Sequence, residues 1–186
     1  MTSDNSLHEK VEKCILKVIK DFKRNPELFL SESDLKCRLF MELNKDGDFS
    51  REEKTGDGKR QTNYVHSEIS YFLFGKLNKR RVDICIVKPS NFDFDNKPIV
   101  ERKGCSFMEP SIGIELKLNK NETKSTVIKK LKDVLESIKL LKNTRPDSKF
   151  YVMQLDKKNL FSSEEISELQ NNYPEIKIIY ADLITL

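Results

Sequence analysis

The heptapeptide IGIELKL, residues 112–118, restricts the fold more than any other feature of the sequence. Its isoleucines and leucines alternate with Gly113, Glu115 and Lys117. As a β-strand it would place the apolar side chains on one face and both charges on the other. Burying a charge costs several kcal/mol unless the charge is paired or bound to something. The two charges are therefore either a satisfied ion pair or a functional site.

The composition indicates a single soluble domain. A chain of 186 residues can bury one sizeable core, and we predict one domain over 1–186. Hydrophobic residues make up 37% and charged residues 34%, which is typical of a highly charged globular protein. No apolar run has the length of a membrane span, and the N-terminal residues lack the pattern of a signal peptide. We therefore expect a cytoplasmic protein.

The cysteines and the net charge restrict the function only weakly. The four cysteines are widely separated, there is no C-x-x-C pair, and there are only two histidines, so a structural zinc site is not expected. We predict reduced cysteines. The formal net charge of +4 and the basic run KLNKRR at 76–81 permit a polyanionic partner, although an ordinary solvated surface has the same pattern.

Hydrophobic periodicity predicts the element order α-α-β-β-β-α-β-α-β. Helices are expected over 6–22, from the capping residue Ser31, over 124–143, and from the capping box of Ser162 and Glu165. Strands are expected over 63–74, 81–87, 112–118, 149–155 and 176–181. The charged segment 45–62 is predicted to be a long, mobile loop, and 88–110 a polar insertion that could hold a short hairpin. This order predicts an α/β sandwich with a mixed sheet.

Asp83 is the acidic residue of the otherwise apolar strand predicted over 81–87. If that strand pairs with 112–118, Asp83 and Glu115 converge, with Lys117 one pleat away. Two adjacent carboxylates repel each other, and a divalent cation resolves the repulsion; oxygen ligands suit Mg²⁺ or Mn²⁺. The Lys117 ammonium is no ligand, but it can orient a water molecule or neutralise charge developing on a phosphate.

Asp83 followed by Glu115-x-Lys117 on adjacent strands resembles the PD-(D/E)XK nuclease superfamily, with Val82 in place of the superfamily's proline. The resemblance covers about residues 31–155 and implies a restriction-endonuclease-like three-layer sandwich, a mixed sheet flanked by helices. It implies that Asp83, Glu115 and the backbone carbonyl of Leu116 bind the metal. It also implies that Lys117 activates or positions the attacking water.

Many members of the superfamily have a further acid at the metal, and this sequence offers two. Glu68 lies on the strand that precedes Asp83, and Glu32 lies at the start of the second predicted helix. Glu68 could approach the metal directly and ranks slightly ahead of Glu32, which could bind a metal-bound water. His66 shares the face of Glu68 and either supports that acid or is a structural histidine.

The implied activity is Mg²⁺-dependent hydrolysis of phosphodiester bonds in DNA, with RNA as an open alternative. The loop 45–62 and the basic run 76–81 are both predicted to contact the nucleic-acid backbone. The basic run would do so through Lys76, Lys79, Arg80 and Arg81. Cutting both strands of a duplex would call for a homodimer, although the sequence specifies no interface. The alternatives are an inactive nucleic-acid-binding or protein-interaction module of the same fold, and a metal-free domain whose charges only pair.

Overall fold

The computed structural model describes residues 4–73, 76–92, 111–144 and 146–183. The helices are α1 (Asp4–Arg24), α2 (Glu32–Asn44), α3 (Gly47–Ser50), α4 (Lys124–Thr144) and α5 (Ser163–Asn172). The strands are β1 (Glu53–Lys54), β2 (Gln61–Thr62), β3 (Val65–Leu73), β4 (Lys76–Ile86), β5 (Ile112–Asn119), β6 (Lys149–Asp156) and β7 (Ile176–Asp182). Short 3₁₀ helices cover Pro26–Leu28 and Pro89–Asn91. None of the described helices is long and apolar enough to cross a membrane.

The main sheet has the strand order β3-β4-β5-β6-β7. β3, β4 and β5 are antiparallel neighbours, whereas β5, β6 and β7 run parallel. A parallel neighbour needs a crossover, and α4 and α5 supply the two crossovers that the parallel strands require. The predicted mixed sheet and the order of its main elements are confirmed.

Helices cover both faces of this sheet. One apolar cluster joins α1, α2 and α3 to the face of β5 that carries Ile112, Ile114 and Leu116. A second cluster joins α4 and α5 to the opposite face. The side chains of β5 alternate as predicted, and Glu115 and Lys117 are only partly buried and lie outside this apolar cluster.

Two predicted helix starts are confirmed by their caps. The Ser31 side chain accepts a hydrogen bond from the backbone N–H of Asp34 at the start of α2. Ser162 and Glu165 form both hydrogen bonds of a capping box at the start of α5. These local bonds satisfy N–H groups that the first helical turn leaves without partners.

The prediction of an unstructured loop over 45–62 is wrong. The Asp46 side chain caps the short helix α3, and the aromatic ring of Phe49 is fully buried against the α1–α2 cluster. β1 and β2 then pair as a small antiparallel hairpin. A single buried aromatic residue in a charged segment has no periodicity, which is why the pattern did not predict this structure.

The second predicted strand is longer than expected. β4 begins at Lys76, not at residue 81, because the polar run pairs with β3 in an antiparallel ladder. The side chains of Lys76, Lys79 and Arg80 lie outside the described residues, as do residue 74 and the insertion from 93 to 110. The predicted hairpin in that insertion therefore stays a prediction. Cys14, Cys37 and Cys85 are free thiols, and Cys105 lies outside the description.

Gly113 provides a test of the β5–β6 register, because it lies opposite Phe150. A Cβ atom at residue 113 would lie 2.7 Å from carbons of the Phe150 ring. We expect Gly113→Ala to lower the free energy of unfolding by about 1–3 kcal/mol, measured by urea denaturation. Adding Phe150→Leu to the Gly113→Ala protein should restore part of the lost free energy of unfolding. Gly47→Ala is the matched control, since a Cβ there meets nothing within 4 Å. A Gly113→Ala protein as stable as the wild type would contradict this register.

Candidate active site

The pairing between β4 and β5 ends halfway along β5. The ladder runs from Ile86–Ile112 to Ile84–Ile114, while β5 stays paired with β6 as far as Asn119. We call the region between β4 and β5 beyond Ile84 and Ile114 the fork. The end of a ladder leaves backbone groups that need other partners.

Asp83 supplies such a partner. Its Oδ2 accepts a hydrogen bond of 2.8 Å from the backbone N–H of Leu116. Its Oδ1 lies 3.7 Å from Nζ of Lys36 on α2, and 14% of its side chain is exposed. The carboxylate is therefore fixed in the fork by a bond that replaces a ladder hydrogen bond.

The Lys117 ammonium lies among three oxygen atoms. Nζ is 3.0 Å from Glu115 Oε1, 2.9 Å from the Leu116 carbonyl oxygen and 3.3 Å from Glu32 Oε1. Burial by itself would lower the pKa of Lys117, but the negative charges of Glu115 and Glu32 outweigh burial and raise it. The arrangement holds a charged cation between two carboxylates and a carbonyl.

Burial raises the pKa of both acids on the two strands. For Asp83, the Leu116 N–H and the charge of Lys117 oppose the rise, and Glu32 adds to it. For Glu115, Lys117 opposes the rise, and Asp83 adds to it. The two carboxylates therefore act on each other, as the sequence predicted for paired strands, and the fork favours added positive charge.

The two candidates for the further acid have different surroundings. Glu32, whose side chain is 45% exposed, contacts Lys117 within the fork. Glu68 forms ion pairs with Lys36 and, at 3.8 Å, with Arg81. The fork thus brings together Asp83, Glu115, the Leu116 carbonyl, Lys117 and Glu32, and Glu68 shares its partner Lys36 with Asp83.

Lys36 was not among the residues predicted from the sequence. Its ammonium contacts both Asp83 and Glu68. The available signal was its spacing of four residues from Glu32, which places the two side chains on one face of α2. That spacing is common in charged helices, and only the packing of α2 against the sheet turns it toward the fork.

His66 has a structural environment. Its Nε2 donates a hydrogen bond of 2.9 Å to the carbonyl oxygen of Asn63, and its ring lies 4.9 Å from the ring of Phe92. Burial lowers the pKa of His66, although the bond to Asn63 opposes this. The half-buried ring packs against Phe92 near the start of β3.

The donor atoms of the fork are of the type that binds Mg²⁺ or Mn²⁺. Carboxylate oxygens from Asp83 and Glu115 and a backbone carbonyl from Leu116 are hard ligands. Among the described residues, no three His, Cys, Asp or Glu side chains are already grouped closely enough to hold a metal. The Glu115 and Leu116 oxygens hold the Lys117 ammonium, and Asp83 faces Lys36.

Comparison with known proteins found no matching family model, curated protein or solved structure.

The raised pKa values predict how stability depends on pH without added metal. A carboxyl group whose pKa is raised by folding binds its proton more tightly in the folded state. Its stabilising contribution to the free energy of unfolding is therefore fully present below the unfolded pKa of about 4. That contribution is lost as the pH rises through the raised pKa of Asp83 or Glu115. We therefore expect the melting temperature of Asp83→Asn and of Glu115→Gln, each minus that of the wild type, to increase from pH 4 to pH 7 in EDTA. Glu164→Gln is the control, since the pKa of Glu164 is lowered. A difference that decreases with rising pH would contradict the raised pKa values of Asp83 and Glu115.

Proposed function

We propose that this chain is a metal-dependent nuclease of the PD-(D/E)XK type with a restriction-endonuclease-like fold, acting on phosphodiester bonds in DNA. The observation that carries the proposal is the set of oxygens around the Lys117 ammonium, beside an Asp83 carboxylate held by the Leu116 N–H. Asp83, Glu115, Leu116 and Lys117 lie on two adjacent strands at the end of their ladder, and Glu32 reaches Lys117 from α2. An inert sheet has no need to direct two buried acids and a lysine to one point.

Asp83, Glu115 and the Leu116 carbonyl would hold the divalent cation. When bound, such a cation polarises a phosphoryl oxygen and lowers the pKa of a coordinated water. Glu32 is the most exposed acid of the fork and would accept a hydrogen bond from that water. Glu68 is further removed from this role, since it pairs with Lys36 and Arg81.

Lys117 acts as a hydrogen-bond donor and a positive charge in this proposal. Without a bound cation, Glu115 and Glu32 raise the pKa of Lys117 against the effect of burial, which favours the charged ammonium. Its N–H groups can orient the attacking water, and its charge can neutralise negative charge that develops on the phosphate. Because the Glu115 and Leu116 oxygens would also hold the cation, Lys117 would have to give up at least part of its present contacts with them.

A second candidate function is an inactive binding module of the same fold. It is favoured by the observation that each acid of the fork has a basic partner without any metal: Lys36 for Asp83, and Lys117 for Glu115 and Glu32. Such a cluster can be stable on its own. DNA binding that persists without cleavage under all divalent cations would support this candidate.

Asp83→Asn should abolish metal-dependent cleavage of supercoiled DNA. The amide keeps an oxygen acceptor for the Leu116 N–H but loses the charge that attracts the cation, so the fold should be preserved. Asp83→Ala is the informative contrast, because it also leaves that N–H without its acceptor and should lower stability by about 1–3 kcal/mol. Full activity in a folded Asp83→Asn protein would exclude this metal site.

Lys117→Ala should lower the cleavage rate by about two orders of magnitude, as for other groups that stabilise charge in a transition state. In EDTA the loss of Lys117 leaves Glu115 buried without its partner, and stability should fall by about 3–5 kcal/mol. In Mg²⁺ the cation compensates Glu115, so the loss should be much smaller. Melting curves with and without Mg²⁺ measure the difference. An equal loss in both conditions would favour a plain ion pair.

A further inference from the structure

Lys36 contacts Asp83 at the fork, but the proposed function gives it no role. Its ammonium lies 3.7 Å from Asp83 Oδ1 and also pairs with Glu68. Its side chain is 21% exposed, so it reaches both the acids and solvent. Lys36 is thus an ammonium group held between two carboxylates.

The partners of Lys36 predict what happens when a divalent cation binds at Asp83. The added positive charge offsets the attraction of Asp83 for Lys36 and repels the ammonium. Glu68 can release Lys36 at little cost, because it is 41% exposed and has Arg81 as a second basic partner at 3.8 Å. A lysine on a flexible stem is then left beside the metal-binding acids, facing solvent.

The backbone at Glu68 is consistent with a functional position. Glu68 has φ of 58°, in the left-handed region that residues with a Cβ seldom adopt. Strain of this kind concentrates where the chain must direct a side chain to a particular point. Here it occurs in β3 at the residue that pairs with Lys36.

We propose that Lys36 binds a phosphate group of the nucleic-acid substrate in the fork and exchanges Asp83 for that phosphate when the cation binds. The inference rests on the proposed function and adds a substrate contact to it. It predicts that Lys36 opposes cation binding when DNA is absent and strengthens DNA binding when the cation is present.

The test measures DNA affinity against salt for the full chain and its variants. The probe is a mixed-sequence 20-bp duplex with Ca²⁺ replacing Mg²⁺, and gel analysis verifies that it stays uncut. Each phosphate contact adds about 0.9 to the slope of log K against log salt. Lys36→Gln should therefore reduce the slope by about that amount and weaken binding about tenfold. Lys36→Arg should keep the wild-type slope. Lys36→Met is a second neutral variant should glutamine impair folding.

Lys177→Gln is the matched control. Lys177 also forms an ion pair, 2.7 Å from Glu12, but lies on β7 at the far side of the sheet from β4. Its substitution should leave both the slope and the affinity unchanged. A wild-type slope in Lys36→Gln, or a lowered slope in Lys36→Arg, would overturn the phosphate contact.

Calorimetry with Mn²⁺ in the absence of DNA provides a readout that does not involve activity. Lys36→Gln should bind Mn²⁺ about fivefold more tightly than the wild type, because a neighbouring positive charge is gone. Equal affinity would overturn the exchange at Asp83. Asp83→Asn separates the two proposals. If Asp83→Asn still binds Mn²⁺ and cleaves DNA normally, the proposed function fails. If Asp83→Asn loses both while Lys36→Gln keeps the wild-type slope, only the role of Lys36 fails.

Discussion

The hydrogen bond from the Leu116 N–H to Asp83 links the sheet to the candidate site. Without an acceptor in the fork, the end of the β4–β5 ladder would leave a buried donor unpaired, which is costly. Asp83 satisfies that donor and is thereby fixed beside the strand that carries Glu115 and Lys117. The Asp83 side chain thus ends the ladder and also contributes negative charge to the candidate site. Removing its charge affects the site, whereas removing its oxygen acceptor also affects the stability of the sheet.

The charges of the fork are balanced from within the chain. The acids on the strands are mostly buried, and the protein meets the cost of their desolvation with lysines. Lys117 lies among the oxygens of Glu115 and Leu116, and Lys36 lies 3.7 Å from Asp83 Oδ1. A divalent cation would compete with these internal cations, so its affinity depends on how easily each lysine finds another partner. In the proposed function, this competition would connect cation binding to the binding of nucleic acid.

The sequence predicted those parts of the fold whose determinants are local. Alternation in 112–118 and the capping box at Ser162 depend on neighbouring residues, and both are confirmed. Helix α3 and the start of β4 were missed because they depend on the burial of Phe49 and on pairing with β3. In the site, the convergence of Asp83 with Glu115 and Lys117 follows from strand pairing. The choice between Glu32 and Glu68, and the presence of Lys36, depend on how α2 packs.

The position of α2 accounts for both contacts from the helix. Leu35 and Leu39 are fully buried in the α1–α2 cluster and fix the helix on the sheet. One helical turn rises about 5.4 Å, close to the separation of about 4.8 Å between neighbouring strands. Residues four apart can therefore reach two adjacent strands: Glu32 contacts Lys117 on β5, and Lys36 contacts Asp83 on β4. A helix displaced by one turn would set Lys36 against Lys117, so the apolar packing of α2 determines the charge pattern of the fork.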